Sequence, residues 1–268
     1  MILDLIDTER TPDLSEFDRG VLVLYSLAVT NRPQLAHITG WDGHKIDSLL
    51  KRLRKREQAP GEWLIRWQPR KREPYCYTLG PAAIRHAKEL RREYVDDELK
   101  PVGAQAAHYL LTNEVLIRLL ESDLEVEAWH GPRETGLWFY HEMTGQGVET
   151  DPAPKIRPDA VVEIGGKTFA LEIDLATIPT PRMRARMAKY LTLAGMLPTM
   201  PDLVFIATTE LRRRALARCL DRVMAECPDL RPSNPDWTIS FLLPGEVPGY
   251  LAEWVMLSGS GPSITRVK

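Results

Sequence analysis

Three carboxylates in one short stretch have a spacing that invites chemistry. In "RPDAVVEIGGKTFALEIDLAT", residues 157–177, Asp159 stands just before one apolar run, and Glu172 and Asp174 sit two apart in the next. On a β-strand, residues i and i+2 point to the same face, so Glu172 and Asp174 set two like charges side by side. On a half-buried face that arrangement is costly unless a cation lies close by. A hard divalent ion takes carboxylate oxygens as ligands and can activate a bound water. A basic side chain can supply the charge alone. The following segment, "TPRMRARMAKYLTLAG" (180–195), carries Lys189, which could point back to the acids, and Arg182, Arg184 and Arg186, one of which could pair with Asp174. Asp174 and Thr177 could also simply cap the helix beginning at 180. The residues leave these readings open.

The elements that must position the acids are legible as patterns. Gly165 and Gly166 separate two apolar runs and mark a two-residue hairpin turn. Helices are expected over 103–123, 180–195 and 210–227, and strands over 124–131, 202–209 and 237–244. "DLVFIATT" has an almost unbroken apolar run, as a strand buried on both faces does. This order gives an α/β domain with a mixed sheet over 103–268.

The first part of the chain has a different pattern. A helix over 14–30, a short one over 33–40 and a third over 41–56 precede two strand-like runs, 62–67 and 74–79. In the third helix Ile46, Leu49, Leu50 and Leu53 make one apolar stripe. His44, Lys45, Ser48, Lys51, Arg52 and Lys55 occupy the other positions. The loop between the strands holds Arg70, Lys71 and Arg72. Helix, short helix, basic helix and basic-tipped hairpin is the order of a winged helix-turn-helix, here over 12–80. From 41 to 92 there are fourteen Lys/Arg against six Asp/Glu, a local net of +8 in a chain of net −2. Cations concentrated this way suit double-stranded DNA, because neutralising phosphates releases counterions. Residues at the start of the third helix would reach base edges in the major groove. A solvated basic helix face is the plainer alternative. Residues 81–102 read as a linker or dimer helix, so a homodimer is a possible partner state.

Other chemistries have little to stand on. The three cysteines, Cys76, Cys219 and Cys227, form no C-x-x-C pair, and a reducing cytoplasm is the simple expectation. The six histidines make no zinc-binding pair, although His130 and His141 flank an irregular stretch. Trp129, Trp138, Phe139 and Tyr140 could stack on bases, but core packing is the default for aromatics. No P-loop, G-x-G-x-x-G or G-x-S-x-G occurs. No run approaches the length of a membrane span, and the N-terminus lacks the basic and apolar regions of a signal peptide.

Pro158-Asp159 followed by Glu172 on the second hairpin strand resembles the restriction-endonuclease-like fold, whose pattern is PD-(D/E)xK. More narrowly, a helical DNA-reading module followed by "RPDA", "EIDLAT" and "KY" resembles the bacterial plasmid replication-relaxation family over most of the chain. The nuclease resemblance implies that Asp159 and Glu172, with Asp174 beside them, hold Mg²⁺ at a scissile phosphate while a lysine activates water. The chain departs from that pattern, because Asp174 stands where the lysine would be. Lys189 is the candidate replacement. Two functions follow: a plasmid or mobile-element DNA-binding protein with a nuclease-like domain that is not robustly catalytic, or a Mg²⁺-dependent endonuclease or nickase targeted by its winged helix. A protein-interaction adaptor is the third. Whether the chain is an enzyme stays open.

Overall fold

The computed structural model describes residues 14–91, 105–135, 156–197, 199–230 and 232–258. Trp138, Phe139, Tyr140 and His141, and the later part of the expected 81–102 helix, lie outside them. The chain forms two compact units. One runs to Asp123 and includes Ala128–Arg133; the other comprises Leu124–Glu127 and the chain from Glu134 onward.

The first unit opens with α1 (Glu16–Leu27). Its Ser15 cap accepts from the Asp18 N–H at 3.2 Å, satisfying one of the donors a helix start leaves unpaired. A two-residue strand, β1 (Thr30–Asn31), leads into α2 (Arg32–Thr39). Asn31 caps α2, and Gly40 ends it with φ 68°, a left-handed conformation that glycine adopts at little cost. The third helix, α3 (Gly43–Lys55), is capped by Asp42 and buries Ile46, Leu49, Leu50 and Leu53. Gly20 of α1 lets α3 approach closely: a Cβ there would lie 2.7 Å from Leu49 Cδ1.

Strands β2 (Leu64–Trp67) and β3 (Cys76–Leu79) form an antiparallel hairpin, and β1 pairs with the other edge of β3. Helix α4 (Pro81–Arg91) follows. Helix α5 (Ala106–Leu120) belongs to this unit, whereas the sequence pattern grouped it with the α/β domain. Polar bonds hold it here. Gln34 Nε2 donates to Leu110 O (2.9 Å), and Asn113 Nδ2 donates to Val29 O (2.7 Å). Hydrophobic periodicity identifies a helix but not which core its apolar face joins.

The second sheet has the order β4-β5-β6-β7-β8, with β4 at Val126–His130, β5 at Ala160–Ile164, β6 at Lys167–Asp174, β7 at Asp202–Ala207 and β8 at Ile239–Leu242. Strands β5 and β6 are antiparallel, while β6-β7 and β7-β8 are parallel, so the sheet is mixed. Gly165 and Gly166 turn the hairpin at φ 59° and 70°, as a two-residue turn of this hand requires. Helices α6 (Thr180–Met196) and α7 (Glu210–Glu226) connect the parallel strands. Val161, Ala170, Leu203, Phe205 and Ala207 from the sheet share one core with Met183, Met187, Tyr190, Leu216 and Val223 from these helices. The last helix, α8 (Val247–Ser258), was not legible in the pattern. Its opening Val-Pro-Gly reads as a turn, yet proline is compatible with a first helical turn.

Candidate functional sites

Nine residues were expected to form a cationic surface on the first unit. On α3, His44, Ser48, Lys51 and Lys55 are exposed and spaced 4, 3 and 4 apart, which stacks them along one face at 3.6 residues per turn. That face lies opposite the Ile46–Leu53 stripe. Lys45 and Arg52 flank it on the α1 side and are engaged there. Lys45 pairs with Glu16 and lies 4.7 Å from the Trp41 ring centroid. The Arg52 guanidinium sits 4.6 Å from the Phe17 centroid. A shallow groove runs along this flank, lined by Phe17, Trp41, His44, Lys45, Ser48 and Arg52.

Arg70, Lys71 and Arg72 are exposed on the β2-β3 loop. The loop is internally braced: Gln68 Nε2 donates to Glu73 O (2.7 Å), and the Glu73 N–H donates to Arg70 O (3.0 Å). Arg72 has φ 82°, a strained conformation for a residue with a side chain. The Arg70–Glu73 contact is long, at 3.8 Å, and worth little at the surface.

The three acids of the second unit share one face of its sheet. The β5-β6 register pairs Ala160 with Leu171 and Val161 with Ala170. Continued by one residue, it sets Asp159 opposite Glu172. Asp159, Val161, Ala170, Glu172 and Asp174 therefore lie on the face that α6 and α7 cover. Both helices bring arginines to it. Arg186 Nη2 donates to both oxygens of Glu172 at 2.6 Å, Arg186 Nε donates to Oε1 at 3.0 Å, and the Tyr190 hydroxyl donates to Oε1 as well. Arg186 also donates to Arg157 O (3.0 Å). Arg212, from the first turn of α7, donates through Nε to Asp174 Oδ2, through Nη2 to Oδ1 (3.3 Å), and to Ile178 O (3.1 Å). Asp159 Oδ2 accepts from the Ile173 N–H (2.7 Å).

Glu172 and Asp174 are buried. Burial pushes the Glu172 carboxyl up to about 7; Arg186 and the Tyr190 hydroxyl pull it down, and Asp159 adds to the rise. Burial also opposes the charge of Arg186, but Glu172, Tyr190 and Asp159 together outweigh it and raise its pKa. Tyr190 is raised well above the usual phenol value by burial and by Glu172.

This donor set does not fit Mg²⁺. The carboxylate oxygens of Glu172 and Asp174 face guanidinium and N–H groups, which leaves them poorly placed as ligands to a hard cation. Among the described residues, no group of three or more His, Cys, Asp or Glu side chains is placed to hold a metal ion. Lys189 does not take the place of the missing lysine: it is exposed, outside the buried arc of α6 formed by Met183, Met187, Tyr190 and Leu191. Arg186 and Tyr190, one turn apart, reach the acids instead. Asp174 and Thr177 do not cap α6, whose N-cap is Pro179, with no side-chain cap bond. Asp174 Oδ1 accepts from the Ala176 N–H (2.9 Å), tightening the loop at Ala176, where φ is 60°. Trp129 is buried.

The family described as replication-relaxation matches residues 22–202. That range runs from within α1 to the first residue of β7 and takes in α3, the basic loop, the three acids, Arg186 and Tyr190, but not Arg212. The chain matches no curated protein and no solved structure. The family match spans more than half of the chain, which therefore belongs to the replication-relaxation family.

Proposed function

We propose that this chain is a double-stranded-DNA-binding protein of a plasmid or mobile element, acting in its replication, mobilisation or transcriptional control. In this reading α1 to β3 is a winged helix-turn-helix. Helix α3 enters the major groove with His44 and Ser48 nearest the base edges, and Lys51 and Lys55 meet phosphates. The β2-β3 loop is the wing, and its Arg70, Lys71 and Arg72 track the backbone. Lys45 and Arg52 support that surface through their contacts with α1. The observation that carries the reading is the single exposed face of His44, Ser48, Lys51 and Lys55, placed in the same unit as the basic loop. Membership of the replication-relaxation family supports the biological setting. No helix among the described residues is long and apolar enough to cross a membrane.

The second unit, in this reading, is a restriction-endonuclease-like sheet whose acids are structural. The pairing of Asp159 with Glu172 across neighbouring strands is what favours the competing endonuclease reading. The arginines on Glu172 and Asp174 weigh against it. Supercoiled plasmid incubated with the full chain and Mg²⁺, Mn²⁺ or EDTA tests the choice. The expected result is intact plasmid and a retarded band in a gel shift, with retardation weakened at least tenfold in Lys51→Ala/Lys55→Ala. Metal-dependent nicking that disappears in Asp159→Ala would overturn the structural reading of the acids. Absence of any retardation would overturn DNA binding.

A further inference from the structure

We infer that Arg66, held over the exposed ring of Tyr75, is a further contact to the DNA sugar-phosphate backbone at the foot of the β2-β3 loop, with Tyr75 as its positioning residue. The inference rests on the DNA-binding reading and extends it to a pair outside the nine residues assigned there. The Arg66 guanidinium lies 4.6 Å from the Tyr75 ring centroid. The hairpin register explains how they meet. Arg66 stands opposite Tyr77, and Tyr75, two residues before Tyr77, is a diagonal neighbour within reach of a long side chain.

Exposure sets this stack apart. Tyr75 is 43% exposed and Arg66 is exposed as well. By contrast, Arg52 and Arg56 lie over Phe17, and Arg133 over Tyr25, rings that are each 2% exposed. Those arginines cover the core. Arg66 covers no core ring, and a cation–π pair at the surface adds little to folding stability. Nor does Arg66 neutralise an acid: among the described residues it has no carboxylate partner.

What the ring supplies is order. A mobile arginine loses rotamer freedom when it grips a phosphate, and a stacked one has already lost part of it. Stacking engages the face of the guanidinium and leaves open its N–H edge, the part that meets phosphate oxygens in bidentate fashion. Arg66 lies on the same hairpin as Arg70, Lys71 and Arg72. Glu73 lies near Arg70 in that loop, whereas the charge of Arg66 is unanswered by any described acid.

Fluorescence anisotropy of the full chain on two labelled duplexes of unrelated sequence, followed against salt, is the test. Arg66→Ala is expected to weaken both duplexes alike, by roughly five- to tenfold near 0.1 M salt, and to reduce the salt slope by about 0.9. Arg66→Lys, which keeps the charge, should keep the slope. Tyr75→Leu should weaken binding about two- to fivefold with the slope unchanged, and Tyr75→Phe, which keeps the ring, should restore native affinity. Added to Arg66→Ala, Tyr75→Leu should cost nothing more. Near-ultraviolet circular dichroism checks that each variant is folded. Should Arg66→Ala fail to fold, Arg66→Gln takes its place with the same outcomes. Native affinity and slope in the folded Arg66 variant would overturn the inference and leave the DNA-binding reading standing. So would a loss confined to one duplex, which marks a base contact, or a Tyr75→Leu loss undiminished by Arg66→Ala, which marks a ring that itself touches DNA. A native chain that binds neither duplex would overturn the DNA-binding reading and this inference with it.

Discussion

At Glu172 a proton and a guanidinium compete for one buried carboxylate. Its folded-state value, about 7, lies above the ordinary 4.5 because burial disfavours the charge more than Arg186 and Tyr190 restore it. The sign of the linkage follows. Between about 4.5 and about 7 the folded chain holds this proton and the unfolded chain does not, so the contribution to stability is fullest below that window and declines as pH rises through it. Unfolding followed against pH should show this decline, on the order of 1–3 kcal/mol, and Glu172→Gln should flatten it. Arg212→Met should cost about 3 kcal/mol in chemical denaturation, because it leaves Asp174 buried without its cation. A cost near zero would mean that Asp174 draws little from the pair. At this scale the sequence makes the acids visible through their i, i+2 spacing and offers Arg186 as one of three candidate partners of Asp174, whereas Arg186 pairs with Glu172 and Asp174 takes Arg212. It favoured Lys189 over Tyr190 because a lysine was the residue missing from the pattern. Arg212 lies 38 residues beyond Asp174, and nothing local links them. They meet because β7 runs parallel beside β6, pairing Asp174 with Ala207 just before α7 begins.

The elements themselves follow from short-range rules. Ser15, Asn31, Asp42 and Thr209 each cap a helix through a side-chain oxygen, and a local signal of that kind survives any tertiary arrangement. What stayed illegible depended on partners. The two-residue β1 exists only because β3 offers it an edge, and α5 joins the first unit through Gln34 and Asn113. Within the β2-β3 loop, Arg72 supplies both charge and strain, and the two separate experimentally. Arg72→Gly should raise stability by about 0.5–1 kcal/mol by relieving the positive φ. The same change should weaken duplex binding and lower the salt slope by about 1. Stability that falls in this variant would show that the arginine side chain braces the loop.

For the whole molecule, the division of charge matters more than its total. A net of −2 over 268 residues accompanies a +8 segment in the first unit, while the arginines on Glu172 and Asp174 in the second are spent on internal acids. On the proposed reading, polyanion binding belongs to the first unit, and the acid cluster holds β5, β6, α6 and α7 together. The most direct test of that central claim is the salt dependence of duplex affinity, measured by fluorescence anisotropy on the full chain between about 50 and 200 mM salt. The expected logarithmic slope is roughly −3 to −5, reduced in magnitude by about 2 in Lys51→Ala/Lys55→Ala. A slope near zero, or one unchanged in that variant, would contradict it.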